Sequence, residues 1–418
     1  MSDAMAKYGS SGNWRRLRNW IGGGMALAMM LATPGVRGAD DPSQLGWNIT
    51  TAKPGADNAE FVRIKRVHIS QWSFPGQIVV RLPDGIKRRL PTADILAVQL
   101  THAVVVPAVS AWQLVLRDRD VLPGYPMGTR HENIIFHAAG LGIVHIPLSE
   151  VAGLRRIAGV AIPDSMADHD SLYFNNDSHL AGAVVSIGSH RLVFQSNLGN
   201  TTIPLTRVNY IILGGAAPLP KAPAMAAVIE FINGATLRTP KFQWSEGKLS
   251  LVDPAGKTLA VSIDQIARVD IVGGTAVWLT DLAPLSIKQA SWIGDNRRFR
   301  DNRCVTGQPL RVDGHVFSHG LGVHVDCTLT YKIGGAYKYF MVRPAMDDSA
   351  GSYGRTNVFI LADGKVVYSG HHLHAGMTNA VVRLPMAGVQ TLSLRAVDAG
   401  RYGVRGRVDW LDAVLIRK

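Results

Sequence analysis

GIVHIPLSEVAGL at 142–154, NTTIPLTRVNYIIL at 200–213 and TLAVSIDQIARVDI at 258–271 are three versions of one segment. Each has a strand-like run, a short polar break and a second apolar run. KRRLPTADILAVQL at 87–100 is a degenerate fourth. Ile95, Val151, Val208 and Ile266 fall at equivalent places, in steps of 56, 57 and 58 residues. Three residues earlier stand Thr92, Leu148, Leu205 and Ile263, with Thr92 marking the degenerate copy. A near-fixed period of this size is the mark of stacked supersecondary units.

The residues around these segments alternate between apolar and polar, as in Lys241-Phe242-Gln243-Trp244-Ser245 and Lys248-Leu249-Ser250-Leu251. A period of two means half-buried strand. Turn signals such as Asn176-Asp177 and Asn233-Gly234 separate the runs. The middle of the chain is therefore predicted as tandem small β-barrel or meander repeats. An N-terminal β region at 39–110 carries the degenerate copy, and β repeats follow at 111–165, 166–222 and 223–284. The run His131-Glu132-Asn133-Ile134-Ile135-Phe136-His137 is superficially like a zinc-protease motif. That chemistry needs two His four apart on a helix. Here they are six apart in a strand-like run, roughly 20 Å by strand rise, too far for one metal ion. The repeats are read instead as a spacer or an array that contacts a partner in the cell envelope.

Residues 285–418 read differently. Short strand-like runs, among them Cys327 to Tyr331, Tyr337 to Val342, Asn357 to Leu361, Thr391 to Ala396 and Asp412 to Ile416, are separated by turns such as Ala362-Asp363-Gly364. Some seven or eight strands in this length is the size of a two-sheet, jelly-roll-like sandwich. Several landmarks stand in order: His319-Gly320-Leu321-Gly322-Val323-His324, Tyr337 to Phe340 followed by Met346-Asp347-Asp348, and Asn357-Val358-Phe359 with Asp363-Gly364-Lys365-Val366-Val367-Tyr368. Leu392-Ser393-Leu394, Val397-Asp398-Ala399-Gly400 and Val408-Asp409-Trp410-Leu411-Asp412-Ala413 close the series. This region, about a third of the chain, resembles the NPCBM family, similar to carbohydrate-binding module family 51. The resemblance implies a glycan-binding β-sandwich of a kind often attached to glycosidases. His319 stands where that family commonly has Lys.

Sugar sites need an apolar platform for ring faces and a few directed polar groups for hydroxyls. Tyr353, Tyr402 and Trp292 are the candidate platforms. His319, His324, Asp347, Asp348, Arg355, Arg401 and Arg405 are the candidate polar groups. Three roles fit Asp347-Asp348: orienting sugar hydroxyls, holding a structural Ca²⁺, or capping turns. Trp410 shares a strand face with Val408 and opposes Asp409, so an inward Trp410 leaves Asp409 outward.

The N-terminus has a basic stretch (Arg15, Arg16, Arg18), a short apolar run from Ile21 to Ala32, and Val36-Arg37-Gly38 before Ala39. That is the layout of a secretory signal peptide over 1–38. The apolar run is well short of the ~20 residues that span a bilayer, so no transmembrane segment is expected after cleavage. Cys304 and Cys327 are the two cysteines. In an exported protein, two in one domain point to a disulfide, with two buried free thiols as the alternative. The formal charge of +13 favours anionic partners, and export removes nucleic acid from them. The expectation is a secreted, periplasmic or envelope protein, all-β and non-catalytic, whose C-terminal sandwich binds a glycan or polysaccharide, acidic in keeping with the charge. The competing expectation is an envelope structural or interaction protein whose sandwich no longer binds sugar.

Overall fold

The computed structural model describes residues 46–52, 61–101, 103, 105–106, 112–156, 169–214, 224–245, 247–252, 256–290, 298–377, 380–400 and 402–417. The signal-type leader lies outside them. Each repeated segment is a strand, one turn of 3-10 helix, and a closing strand. The turns are Thr92–Asp94, Leu148–Glu150, Leu205–Arg207 and Ile263–Gln265. The closing strands start at Ile95, Val151, Val208 and Ile266, all buried. Pro91, Pro147 and Pro204 cap three of the turns at φ −61, −54 and −63°, the angle that the proline ring imposes. Thr92, the polar deviant, is buried as well, and its hydroxyl accepts a 2.9 Å hydrogen bond from the Trp72 indole. The degenerate copy thus satisfies an indole N–H that would otherwise be buried unpaired.

The copies join two by two through their closing strands. Val151–Arg155 runs antiparallel to Val208–Ile212, with Leu154 opposite Ile211. Ile95–Leu100 runs antiparallel to Ile266–Val272, with Val98 opposite Val269. The second and third copies form a ten-stranded sheet, and the first and fourth an eleven-stranded one. Gly153 permits the first junction, because a Cβ there would overlap the Ile211 carbonyl. The first and fourth copies meet again where the long strand Phe61–Phe74 pairs with Phe242–Ser245. Trp72 lies opposite Trp244 there, and Phe74 opposite Phe242. Their rings pack with Trp47 at centroid distances of 4.9–6.3 Å. The predicted alternation holds, with Phe242 and Trp244 buried and Gln243 and Ser245 exposed. One apolar core runs through all four copies. His131 and Glu132 make a turn at φ 48 and 61°, and His137 stacks on Tyr125. That placement suits a hairpin, whose tight turns need positive φ.

The C-terminal part is a sandwich of two antiparallel sheets. One has six strands, with Arg407–Arg417 between Gly320–His324 and Tyr337–Met346. The other has five, with Cys327–Lys332 and Thr356–Ala362 flanking Thr391–Asp398. Their inner faces share a core that includes Trp410, Phe340, Tyr331 and Leu394. The outer face of the six-stranded sheet is covered twice. Leu96 of the repeats packs on Trp278, Met341, Val414 and Ile416. Cys304 and a hairpin with strands Leu310–Val312 and His315–Phe317 pack on Ala345 and Leu411.

Candidate functional site

Two loops meet at one end of the sandwich. The first, 347–355, follows the strand Tyr337–Met346, and the second, 402–406, precedes Arg407–Arg417. Arg407 ties them by donating to the Ser349 carbonyl at 2.8 Å. Gly354 lies so close that a Cβ would stand 2.5 Å from the Arg405 carbonyl, and one on Gly351 would stand 3.1 Å from Arg405 Nη1. Val325 N donates to the Gly406 carbonyl at 2.8 Å, which brings the end of the strand Gly320–His324 to the second loop. A Cβ on Gly403 would stand 3.7 Å from His324 Cε1. Tyr353, His324, Tyr402 and Arg405 are thereby brought to one end of the domain.

Tyr402 is 83% exposed and Tyr353 48%. Both Tyr402 and Arg405 sit at φ 55°. A left-handed backbone costs a residue with a side chain about 1–2 kcal/mol, and such strain clusters at ligand clamps. Arg355 folds back on its own loop, with Nη1 donating to the Ser352 and Gly354 carbonyls at 3.0 and 2.8 Å. It braces the platform. Trp292 and Arg401 lie outside the described residues.

Asp347 and Asp348 have the geometry of turn caps. Asp347 is buried, and its oxygens accept from Ser349 N at 2.9 Å and Arg311 N at 3.2 Å. Asp348 accepts from Asp313 N and Gly314 N at 2.8 and 2.9 Å. The acidic pair therefore secures the covering hairpin. Among the described residues no three His, Cys, Asp or Glu side chains converge as a metal set. Asp409, expected outward, is fully buried beneath the same hairpin. Burial first, and then the charge of Asp347, push its carboxyl well above the ordinary value. The two cysteines are both buried and unbonded, contrary to the expected disulfide. Cys304 belongs to the cluster outside the six-stranded sheet and Cys327 to the core between the sheets. Burial pushes the Cys327 thiol up to about 12, which leaves it unreactive.

His319 does not lie at the loop end. It is buried at the junction with the repeats, stacked on Trp278 at 3.9 Å and 10°, with Nε2 3.2 Å from Asp270 Oδ1. Arg268 donates to the same oxygen at 2.6 Å. Trp278 and Asp270 were not singled out from sequence, since their partner is 40 to 50 residues away. Burial alone would raise the Asp270 carboxyl, but Arg268 and then His319 override it and hold it at about 2, below the ordinary 3.8. A depressed carboxyl contributes stability above its unfolded value and loses it as pH falls through the folded one. Acid titration should therefore loosen this joint between about pH 4 and pH 2. Unfolding measured across that interval should show a flatter pH slope in Asp270→Asn than in the wild type. Identical slopes would mean that this carboxyl is not coupled to folding.

The model of the NPCBM/NEW2 domain matches residues 275–416, from the strand Ala276–Trp278 to the last strand. Residues 275–416 are an NPCBM/NEW2 domain. The strand Ala276–Trp278 is part of it, pairing with Val414 to Ile416 at the edge of the six-stranded sheet. A Renibacterium salmoninarum protein bearing the name of an endo-alpha-N-acetylgalactosaminidase is 24% identical over 107 residues, 26% of this chain. The chain spans 7% of that relative's length. Among solved structures, the CBM51 of Clostridium perfringens GH95 in complex with methyl-galactose is 20% identical, covering 34% of this chain and 99% of that one at a TM-score of 0.31. The tandem CBM51 modules of Sp3GH98, the family 98 glycoside hydrolase from Streptococcus pneumoniae, are 14% identical, covering 90% of this chain and 98% of that one at a TM-score of 0.31. The loop end of the NPCBM/NEW2 domain holds the exposed aromatic groups described above.

Proposed function

We propose that this protein is an exported, non-catalytic glycan-binding protein, and that the NPCBM/NEW2 domain takes the sugar at its loop end. Tyr402 carries the reading: a large aromatic ring, almost wholly exposed, on a strained loop that also carries Arg405. The ring offers a face for stacking, Tyr353 a second apolar surface, and Arg405 and His324 offer groups for hydroxyls. Hydrolysis needs an acid and a base flanking the bond. Asp347 and Asp348, in the first loop, accept backbone N–H groups instead. Single lectin-type sites bind weakly, so the repeats would serve to hold the domain at a surface where several copies act together. Export rests on the leader-type N-terminus, and the envelope or the exterior is where a glycan surface would be met.

The test is a glycan array probed with the whole protein, followed by titration of the best ligand. Tyr402→Ala should weaken binding roughly tenfold, the loss of one stacking contact with its buried area. Arg405→Ala should weaken it less, and the glycan should be recovered uncleaved. Tight binding that neither substitution alters, in a protein that still unfolds at the wild-type temperature, would remove the loop end as the site.

A further inference from the structure

A cleft of about 490 Å³ lies where the repeat sheet meets the sandwich, away from the loop end. Its floor follows from strand alternation. Ile49, Val98 and Val269 face the repeat core. Their neighbours Asn48, Gln99 and Arg268 lie in one cross-strand row on the opposite face. Ala97, Thr50 and Arg63 form the next row. The facing wall is the hairpin at 310–317, with Arg343 and Asp412 behind it.

Among the described residues the charges in this cleft do not balance. Arg63, Lys65, Arg268 and Arg343 line it against Asp313 and Asp412. Arg268 is committed to Asp270 at 2.6 Å. Arg63 reaches Asp412 only at 3.9 Å, and Lys65 is exposed. Arg343 lies 6.0 Å from the Phe317 ring, and its buried Nε has no acceptor among the described residues. A buried N–H left without an acceptor is costly, and such groups are rare in native structures. An acceptor arriving with a ligand would complete it. Val316, 58% exposed, and Phe317 form an apolar lip beside these cations. The volume is within the ~300–1,000 Å³ of small-molecule sites.

We infer that this cleft binds an acidic saccharide. Its carboxylate or sulfate group meets Arg343 and Lys65, its hydroxyls meet Asn48, Thr50 and Gln99, and a ring face rests on Val316 and Phe317. The saccharide class rests on the glycan-binding reading above, but the site does not, because none of these residues belongs to the loop end. Cleft and loop end together would let one protein hold two points of a polysaccharide.

The test is calorimetric titration of the whole protein with a sulfated oligosaccharide, an oligogalacturonate, a neutral oligosaccharide of equal length and inorganic phosphate. The acidic saccharides should bind and the neutral one should not compete with them. Lys65→Glu should weaken the acidic saccharides roughly tenfold or more, as expected when a charge-assisted contact becomes repulsive. Arg343→Gln should act in the same direction. If that change unfolds the protein, the exposed Lys65 decides the matter. The loss caused by Lys65→Glu should be as large in a Tyr402→Ala background as in the wild type. The two acidic arms distinguish sulfate from carboxylate. Acidic saccharides that bind no better than the neutral one, or binding indifferent to Lys65→Glu, would overturn the inference. So would phosphate binding as tightly as the saccharides, since that needs no sugar. Loss on Tyr402→Ala alone would return the ligand to the loop end, overturning the cleft and keeping the reading of the domain.

Discussion

Replacing Trp410 with alanine should destabilise the sandwich by about 3–5 kcal/mol, the range for deleting a large aromatic side chain from a core. Trp410 is fully buried on the strand Arg407–Arg417, opposite Leu321 on one side and Pro344 on the other. It lies within the core between the two sheets. Its indole N–H has no partner, so the side chain contributes through apolar burial and packing. Trp410→Phe should accordingly cost much less than Trp410→Ala, because no hydrogen bond is lost with the indole. Urea unfolding followed by far-ultraviolet circular dichroism would measure both. Domains are stable by about 5–15 kcal/mol, so the alanine variant should unfold at a plainly lower urea concentration. A shift below about 1 kcal/mol, the level of an ordinary substitution, would mean that Trp410 does not anchor this core.

Gly322→Ala should also destabilise the sandwich, less than Trp410→Ala but far more than a single added methyl group suggests. Gly322 lies in the strand Gly320–His324, and a Cβ there would overlap the Arg303 carbonyl and stand 2.6 Å from the Cys304 backbone. The obstacle is backbone, which cannot rotate away as a side chain can. The segment at 300–304 must lift, and with it Cys304, which is packed on Leu310, Ala345 and Leu411. Overpacking of this kind costs about 1–3 kcal/mol. Gly403→Ala is a control in a turn: its φ of 72° strains any side chain, but its nearest contact, at 3.4 Å, is ordinary. If Gly322→Ala unfolds like the wild type, the crossing of 300–304 over this strand is looser than described.

The His319-Gly320-Leu321-Gly322-Val323-His324 stretch shows how a motif and its reason separate. Its order and composition marked the family, and the domain is there. What the motif does was not visible: Gly322 makes room for a crossing segment, and His319 clamps Asp270 of a repeat. Both depend on residues distant in sequence. Asp409 repeats the lesson. Alternation correctly opposed it to Trp410, but it became a buried group because the hairpin at 310–317 covers that face. Strand periodicity assigns faces and leaves open what lies against each one.

The local chemistry of the chain was enough for the register of the repeats, their strand character and the inward face of Trp410. Those follow from apolar spacing, proline angles and turn residues, all acting within a few positions. It also put Tyr402 and Arg405 in a Gly-bearing loop, where both are exposed. The tertiary structure alone decided that the copies join first to fourth and second to third. Closing strands with the same apolar pattern could pair in several ways, and only the packing of Trp47, Trp72 and Trp244 into one core selects among them. It also decided that Cys304 and Cys327 stay apart, that Asp347 and Asp348 hold a hairpin, and that a cationic cleft opens between modules that no single segment encodes. Each of these is a contact between distant parts of the chain, and its energy exists only once both parts are in place.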